Sequence, residues 1–405
     1  MASIKLKFKP STLKDREGTV YYQIVHERRV RQLYTKYHLF IDEWDDNKSS
    51  VKIVADRDRC AFLQSVREKI SRDVERLNKI FRQFEQRTAA YTVDDIADEF
   101  ELYNRECSLT NFMENLIAKF KLNGKARTSE TYQAALNSFK KFLCETDRPH
   151  EDIMLHDITA ELMGHYEGWL NSCRVLANTV SFYMRILRAT YNRAVEDGRI
   201  EDRRPFRHVY TGVDKTVKRA LPLSAIRKIK SLDLSISPKL DYARDLFLLS
   251  FMLRGMSFVD MAFLRKSDLK NGCVSYRRRK TGQQLVIEWT PEMEAILSKY
   301  PANQTEYLLP IIKVGGANER NVYRNTNAKI NYSLKQIAKM VGVSIPLTMY
   351  VARHSWASAA KAKGIPLRVI SEGMGHDSEN TTQIYLASLD TSVINKANKL
   401  ILASI

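Results

Sequence analysis

The chain has 405 residues, 44% of them hydrophobic, which is enough apolar surface for two or three ordinary globular domains. Its 65 Lys and Arg residues exceed its 47 Asp and Glu residues, so the formal net charge is +18. A basic excess of this size predicts a polyanionic partner and favours nucleic acid over an anionic membrane surface.

The N-terminus and the cysteines indicate the compartment. The first ten residues, MASIKLKFKP, alternate basic with apolar residues and lack the apolar core of a signal peptide, and no run of about eighteen apolar residues occurs anywhere in the chain. The five cysteines are scattered without C-x-x-C spacing, which predicts reduced thiols and no zinc site. We therefore expect a cytoplasmic protein that is neither secreted nor membrane-spanning.

The first segment, residues 1–90, predicts a small sheet followed by a long helix. From Ile4 to Phe8 apolar residues alternate with lysines, which is the two-residue period of a half-buried strand with one basic face. Further strands are expected over Val20–Val25 and Leu33–Ile41, and apolar residues at helical spacing predict an amphipathic helix over Asp56–Glu85. The lysines fit a DNA-binding face, and they also fit an ordinary solvated sheet.

The second segment, about 92–205, predicts a group of helices. Thr92 and the acidic residues after it are typical of a helix N-terminus. Four more helices are expected, over Phe112–Phe120, Ser129–Leu143, Ile158–Leu170 and Thr179–Glu196. In the last of these we expect an inward apolar face and an outward basic face, formed by Phe182, Ile186 and Ala189 and by Arg185, Arg188 and Arg193. Such arginines can contact DNA phosphates, but the pattern also fits an ordinary soluble helix.

Three groups of residues near the C-terminus form an ordered set. They are Arg353 with His354, the stretch G-M-G-H that ends at His376, and the run from Thr381 and Thr382 to Tyr385. Taken singly, these residues would be surface or core residues. A tyrosine hydroxyl can attack phosphorus only if positive donors neutralise the non-bridging phosphate oxygens, and the planar, permanently charged guanidinium of arginine suits that task.

This set resembles the motifs of the tyrosine recombinases, or phage-type integrases, and looks most like the subgroup carried by mobile elements of Bacteroidetes. The resemblance extends over essentially the whole chain. It implies a multidomain, mainly α protein. An arm-type DNA-binding domain at 1–90 would combine a small N-terminal β-sheet with a connecting helix. A helical SAM-like core-binding domain would follow at 92–205, and after a linker at 203–218 a mixed α+β catalytic domain with a C-terminal helical tail at 215–405.

The resemblance also implies catalytic roles. Tyr385 would be the nucleophile, Arg353 matches the second family arginine, and His376 matches the residue that hydrogen-bonds the scissile phosphate. Lys280, in the run RRRKTGQ between two expected strands at 273–276 and 285–289, matches the lysine that donates a proton to the departing 5′-oxygen. Without the other motifs it would be an ordinary lysine at a hairpin tip. His354 points about 100° away from Arg353 around its helix and is expected to be structural.

Two positions depart from the family pattern. Ser257 stands where the family has its first arginine, so a permanent charge must come from elsewhere or the enzyme is impaired. Arg254, one helical turn earlier, is ranked slightly ahead of Arg278, which would lie beside Lys280 because strand residues two apart share a side. Tyr350 stands where the family has a histidine. A phenol is a poor base at neutral pH, which leaves a larger share of that task to His376 or Lys280.

The implied activity is that of a site-specific recombinase, the integrase of a mobile genetic element. Tyr385 would form a 3′-phosphotyrosyl link and free a 5′-hydroxyl, and the reverse reaction would join a new partner strand. Because the covalent link keeps the phosphoester energy, no nucleotide cofactor is expected, and arginines and lysine would replace a metal ion. A non-cleaving DNA-binding factor on the same fold, favoured by Ser257 and Tyr350, and a type IB topoisomerase are the alternatives.

The implied partners follow from the same resemblance. They are double-stranded DNA at core and arm-type sites, further copies of the chain in a homotetramer on synapsed DNA, and a host DNA-bending factor, with no membrane. The protein would be nucleoid-associated when bound to DNA. In the core-binding segment the expected DNA contacts are Lys125, Arg127, Arg185 and Arg188.

Overall fold

The computed structural model describes residues 3–54, 57–86, 90–146, 153–214, 219–316, 318–386, 398–399 and 401–402. The chain divides into two compact units, Met1–Asp214 and Lys215–Ile405. The first unit holds two separate apolar clusters, one between Val20 and Phe100 and one between Leu109 and Val209. The boundaries 1–90, 92–205 and 215–405 expected from the sequence stay a prediction. Within the described residues, no helix is long and apolar enough to cross a bilayer.

The N-terminal segment is an antiparallel sheet with strand order β1-β2-β3, and its three strands confirm the alternation predicted from the sequence. They span Ser3–Lys9, Gly18–His26 and Arg29–Leu39. One face of the sheet is buried against the first helix, and the lysines of β1 lie exposed on the other face. Two short strands then pair with each other, β4 at Trp44–Asp45 and β5 at Ser50–Val51.

The long helix α1, Arg57–Glu85, joins the sheet to the rest of the first unit. The Asp73 carboxylate accepts hydrogen bonds from the hydroxyls of Tyr22 and Tyr37, at 2.8 and 2.9 Å. The neighbouring Arg72 Nη2 forms an ion pair with Asp157 Oδ1 at 2.7 Å. The turn of α1 that contains Arg72 and Asp73 therefore contacts both the sheet and the segment that precedes the helix at Ala160–Ser172.

Five more helices complete the first unit: α2 at Val93–Cys107, α3 at Leu109–Leu122, α4 at Ala126–Glu145, α5 at Ala160–Ser172 and α6 at Ala177–Glu196. All the helices expected in this segment are present. Thr92 caps α2 as predicted, because its hydroxyl accepts the backbone N–H of Asp95.

The predicted orientation of α6 is wrong in part: Arg185 is exposed as expected, but the apolar residues chosen from the sequence do not form the buried face. Its buried face is the ridge of residues three and four apart that includes Val180, Met184, Leu187, Tyr191 and Ala194. The residues expected to face inward, Phe182, Ile186 and Ala189, lie half-buried beside that ridge. Arg193 does not point outward either, since its guanidinium carbon lies 5.2 Å from the ring centroid of Phe120.

The second unit is a helical domain with one small antiparallel sheet of order β6-β7-β8. Its elements are α7 at Leu223–Lys230, α8 at Pro238–Met252, α9 at Phe258–Ala262, β6 at Leu269–Lys270, β7 at Cys273–Arg277, β8 at Gln284–Glu288, α10 at Pro291–Leu297, α11 at Glu319–Met340, α12 at Met349–Ala362, α13 at Leu367–Gly373 and α14 at Glu379–Leu386. The expected hairpin is thus confirmed as β7 and β8. Most of the terminal helix expected over Asp390–Ile405 lies outside the described residues, and 398–399 and 401–402 are helical.

Candidate active site

Arg353 is the centre of a buried polar cluster in the second unit. Its side chain, on α12, is 4% exposed. Nη1 donates to the carbonyl oxygen of Gly255 at 2.9 Å, and Nη2 donates to the carbonyl oxygen of Met374 at 2.7 Å. Nη2 also lies 3.0 Å from Nε2 of His376. Arg353 therefore joins the loop after α8 to the residues that follow α13.

The close approach of this loop to α12 depends on Gly255. Its φ is +72°, in the left-handed region that favours glycine, and a Cβ built on it would lie 2.5 Å from Cα of Arg353. Gly364 has a similar φ of +78°, but a Cβ there would meet nothing within 4 Å. Alanine substitutions at the two positions therefore distinguish the cost of left-handed backbone strain, which both share, from the cost of steric crowding, which only Gly255 has.

We expect Gly255→Ala to lower the free energy of unfolding by about 3 kcal/mol or more, since left-handed strain adds to a backbone clash. Gly364→Ala should cost about 1 kcal/mol, because it has the strain alone. Urea unfolding of the full chain, followed by tryptophan fluorescence, measures both. Equal losses in the two variants would contradict the crowding at Arg353.

His376 lies directly after Gly375 and is 8% exposed. Its Nδ1 is 2.7 Å from the hydroxyl oxygen of Thr382. Burial is the largest cause that lowers the pKa of His376 to about 4, and the positive charges of Arg353, Arg278 and Lys280 lower it further. The ring is therefore neutral at physiological pH.

The turn of the β7–β8 hairpin brings two more cations to this cluster. Arg278 is 7% exposed, and its Nη1 donates to the carbonyl oxygen of Gly375. Its buried Nε has no hydrogen-bond partner among the residues that the structure describes. Lys280 is exposed, and its charge still reaches His376. Because β7 ends at Arg277, both residues lie in the turn, and the strand alternation expected to align them does not apply.

The helical geometry expected for Arg254 is wrong. The helix α8 ends at Met252, Arg254 itself has a left-handed φ of +56°, and α9 begins only at Phe258. The half-buried side chain of Arg254 passes close to Gly373, with its Cδ 3.8 Å from where a Cβ would stand. Its charge, like those of Arg278 and Arg353, opposes the rise in the pKa of Tyr276 that burial causes. All three arginines therefore lie near Tyr276.

Ser257 has a structural role, which it shares with Asp260. The Ser257 hydroxyl donates to Asp260 Oδ2 at 2.6 Å and caps α9 by accepting the Asp260 N–H. Asp260 Oδ1 also accepts the backbone N–H of Arg279 at 3.0 Å, which fixes the hairpin turn between Arg278 and Lys280. Sequence reasoning missed Asp260. The S-x-x-D spacing signals a helix cap, but nothing in it signals a contact with a residue 19 positions away.

Tyr350 and His354 lie on α12 beside Arg353. The Tyr350 side chain is 55% exposed, and its ring meets the half-buried ring of His354 edge to face, with 4.8 Å between centroids. Arg353, in contrast, is buried. The structure therefore places the Tyr350 side chain on the exposed side of α12, outside the buried part of the cluster.

Tyr385 belongs by its backbone to α14. The position of its side chain falls outside the described part of the structure. Two contacts hold its helix: Thr382, fully buried, contacts His376, and Lys361 Nζ donates to the carbonyl oxygen of Leu386 at 3.0 Å. The nucleophile proposed from the sequence is thus carried by a helix that contacts the Arg353 cluster.

The expected DNA contacts of the first unit are mostly exposed. Lys125, Arg127 and Arg185 are exposed, whereas Arg188 is half-buried and its Nη1 donates to the Thr211 hydroxyl at 3.3 Å. Their role in binding stays a prediction. Among the described residues no group of three or more His, Cys, Asp or Glu side chains could hold a metal ion.

Comparison with known families gives two matches. Residues 108–209 match the family described as Phage integrase SAM-like domain, and residues 228–392 match the Phage integrase family. The chain is 26% identical over 295 residues to tyrosine recombinase XerC of Thermodesulfovibrio yellowstonii, which covers 70% of this chain and 92% of that protein. Tyrosine recombinase XerA of Thermococcus kodakarensis is 29% identical over 175 residues, 42% of this chain and 59% of that protein.

Solved structures show a similar fold. A lambda integrase dimer bound to a COC′ core site has a TM-score of 0.53 at 17% identity, covering 69% of this chain and 95% of that one. A lambda integrase tetramer bound to a Holliday junction has a TM-score of 0.53 at 16% identity, covering 90% of this chain and 92% of that one. At these identities the likeness concerns the fold alone.

Proposed function

The chain belongs to the phage integrase family of tyrosine recombinases, and we infer from this that it breaks and rejoins DNA strands at specific sites. The observation that carries the site assignment is the convergence of Arg353, Arg278 and His376 beside the helix that bears Tyr385. Arg353 and Arg278 are both buried cations, 4% and 7% exposed. A phosphodiester in this cluster would compensate charges that are costly to bury.

In the reaction that we propose, the phenol of Tyr385 gives its proton to the neutral ring of His376, and its oxygen bonds to the scissile phosphorus as the bond to the 5′-oxygen breaks. Guanidinium groups stabilise the charge on the non-bridging oxygens. Lys280, exposed at the hairpin turn, gives its proton to the departing 5′-oxygen, which is otherwise a poor leaving group. The 5′-hydroxyl of a partner strand then gives its proton to Lys280 and attacks the 3′-phosphotyrosyl link, and Tyr385 leaves with the proton that His376 returns.

Arg278 is the residue that we propose in place of the arginine missing at Ser257. It is more buried than the half-buried Arg254, and it lies against the carbonyl group of the residue before His376. Its buried Nε, without a partner among the described residues, can still donate to a phosphate oxygen. Asp260 supports this assignment because it holds the backbone of the hairpin turn next to Arg278.

The test is a covalent-trapping experiment with the full chain. The substrate is a nicked duplex that carries the core site found by sequencing the junctions of the element encoding this protein. We expect a DNA adduct that resists SDS, and mass spectrometry should map it to the peptide that contains Tyr385. Binding without any adduct would support the non-cleaving alternative. Relaxation of supercoiled plasmid without site preference would support the topoisomerase.

The proposal also covers the assembly of the chain on DNA and its binding to an arm-type site. Lambda integrase has been solved as a dimer on a core site and as a tetramer on a Holliday junction. We propose that this chain likewise acts as a homotetramer on synapsed DNA, together with a host DNA-bending factor. The molecular mass of the trapped complex, measured by mass photometry, distinguishes a tetramer from smaller assemblies.

The exposed face of the N-terminal sheet is the surface that we propose for an arm-type site. Strand register aligns lysines of β1 with polar and aromatic residues of β2 and β3, in the rows Lys5–Gln23–Gln32, Lys7–Tyr21–Tyr34 and Lys9–Thr19–His38. Lysines can neutralise phosphates, and glutamine amides can read adenine in the major groove, which admits β-structure.

Replacing Lys5, Lys7 and Lys9 together by alanine should weaken binding to the arm-type duplex by roughly tenfold or more and reduce its salt slope by up to about 3. Replacing the exposed Lys48, Lys52 and Lys79 removes the same charge elsewhere in this unit and is the control. Fluorescence anisotropy at several salt concentrations measures both variants. Equal weakening in the two would indicate a general charge effect and not a binding face.

A further inference from the structure

The cluster contains a hydrogen-bond chain whose direction is fixed by chemistry. A guanidinium group can only donate, so Nε2 of His376 must accept from Nη2 of Arg353 across 3.0 Å. In a neutral ring the proton then sits on Nδ1, which donates to the Thr382 hydroxyl across 2.7 Å. The contacts therefore select one of the two neutral tautomers of His376.

Thr382 is well placed to hold this ring still. It is fully buried and lies in α14, three residues before Tyr385. The same helix is held at its C-terminus by Lys361, and Leu386 is buried in an apolar cluster with Ala357, Ile370 and Met374. A small shift of α14 would therefore break the contact between Thr382 and the imidazole.

We propose that Thr382 is a positioning residue that occupies Nδ1 of His376, so that the ring gains or loses a proton only at Nε2, on the side of Arg353. Because Thr382 and Tyr385 share one short helix, this contact also ties the imidazole to the element that carries the nucleophile. The charged groups that act on this ring are Arg353 from α12 and Arg278 and Lys280 from the hairpin turn. The proposal rests on the function proposed above and names a further residue for it.

Three variants distinguish the effect of the Thr382 hydrogen bond from the effect of its packing. Thr382→Val keeps the volume and removes the hydroxyl, whereas Thr382→Ser keeps the hydroxyl and removes the methyl group. The neighbouring Thr381, exposed and bonded through its hydroxyl to Ser378, gives the matched control Thr381→Val. We expect Thr382→Val to slow single-turnover cleavage on the order of tenfold to a hundredfold, part of what a positioned acid or base contributes. Thr382→Ser and Thr381→Val should remain within about threefold of the parent chain.

A spectroscopic measurement tests the tautomer without DNA. The full chain is labelled with ¹⁵N-histidine, and the ring signals of His376 are assigned from their loss in His376→Gln. In the parent chain we expect a protonated Nδ1 and an unprotonated Nε2. In Thr382→Val we expect the same tautomer, because Arg353 still donates to Nε2, with a shifted Nδ1 signal, because the Nδ1 proton has lost its acceptor. Thermal unfolding of each variant checks that the fold is kept.

The outcomes are distinguishable. A parent chain with its ring proton on Nε2 would overturn the proposal, and so would a Thr382→Val variant whose Nδ1 signal and cleavage rate are both unchanged. Equal losses in Thr382→Val and Thr382→Ser would assign Thr382 to packing and overturn it as well. If the parent chain itself forms no adduct, the proposed function fails, and the nitrogen spectra still decide the place of the ring proton.

Discussion

Replacement of Tyr385 by phenylalanine should abolish the covalent complex with DNA. The variant keeps the aromatic ring and loses the oxygen that bonds to phosphorus, so we expect single-turnover cleavage to fall on the order of 10⁴-fold or more. The affinity for an intact core duplex should stay roughly the same, because phosphate binding belongs to the cationic groups. Denaturing gels of the trapped complex and fluorescence anisotropy measure the two quantities.

The matched control is Tyr332→Phe, which removes an exposed phenol oxygen from α11. It should form the adduct at the rate of the parent chain. An adduct that persists in Tyr385→Phe would assign the nucleophile to another residue. Loss of the adduct in both variants would point to a general effect of removing a phenol oxygen.

Replacement of Arg278 by alanine should have the second largest effect. If this residue supplies the charge missing at Ser257, cleavage should fall on the order of 10³-fold, the cost of one transition-state donor. Arg254→Ala, in which the half-buried side chain beside Gly373 is removed, should cost roughly tenfold or less. Arg278→Lys should recover part of the rate, since lysine keeps the charge but lacks the planar fork.

The effect of Arg278→Ala can also be measured without DNA. The Arg278 charge lowers the pKa of His376, which burial and neighbouring cations hold at about 4. Arg278→Ala should therefore raise the pKa of His376, and an NMR titration of the labelled ring would show this. A larger cleavage defect in Arg254→Ala than in Arg278→Ala would reverse the assignment, and an unchanged His376 titration would place Arg278 away from the ring.

The sequence predicted the elements more accurately than their orientation. Alternating residues at Ile4–Phe8 and the cap at Thr92 were sufficient for a strand and a helix start, because those signals are local. In α6 the apolar residues occupy more than one face, so periodicity alone did not show that Val180 and Met184 form the buried ridge. Packing against the other helices of the unit decides between such faces.

For the candidate site, the sequence predicted the residues that belong to a motif but not the contacts that support them. Arg353, His376 and Lys280 follow an ordered motif, and in the structure the charges of Arg353 and Lys280 act on the neutral ring of His376. The contacts of Asp260 with the hairpin and of Thr382 with His376 were missed, because they depend on how the chain returns to one point in space. Arg254 was misplaced for a local reason: α8 ends at Met252 and Arg254 has a left-handed backbone, so Arg254 and Ser257 do not share a helix.

The hydrogen bond from the hairpin turn to Asp260 bears on the proposal that Arg278 supplies the charge that the family pattern would place at Ser257. Electrostatic stabilisation depends on where a charge stands relative to the reacting atoms, and the strand or helix that delivers it is immaterial. Asp260 of α9 holds the backbone of the turn, and the guanidinium of Arg278 in that turn donates to the carbonyl oxygen of Gly375, next to His376. If Arg278 supplies the charge, a sequence signature that requires an arginine at the position of Ser257 would reject this chain, whereas a search for cations by their position in space would retain it.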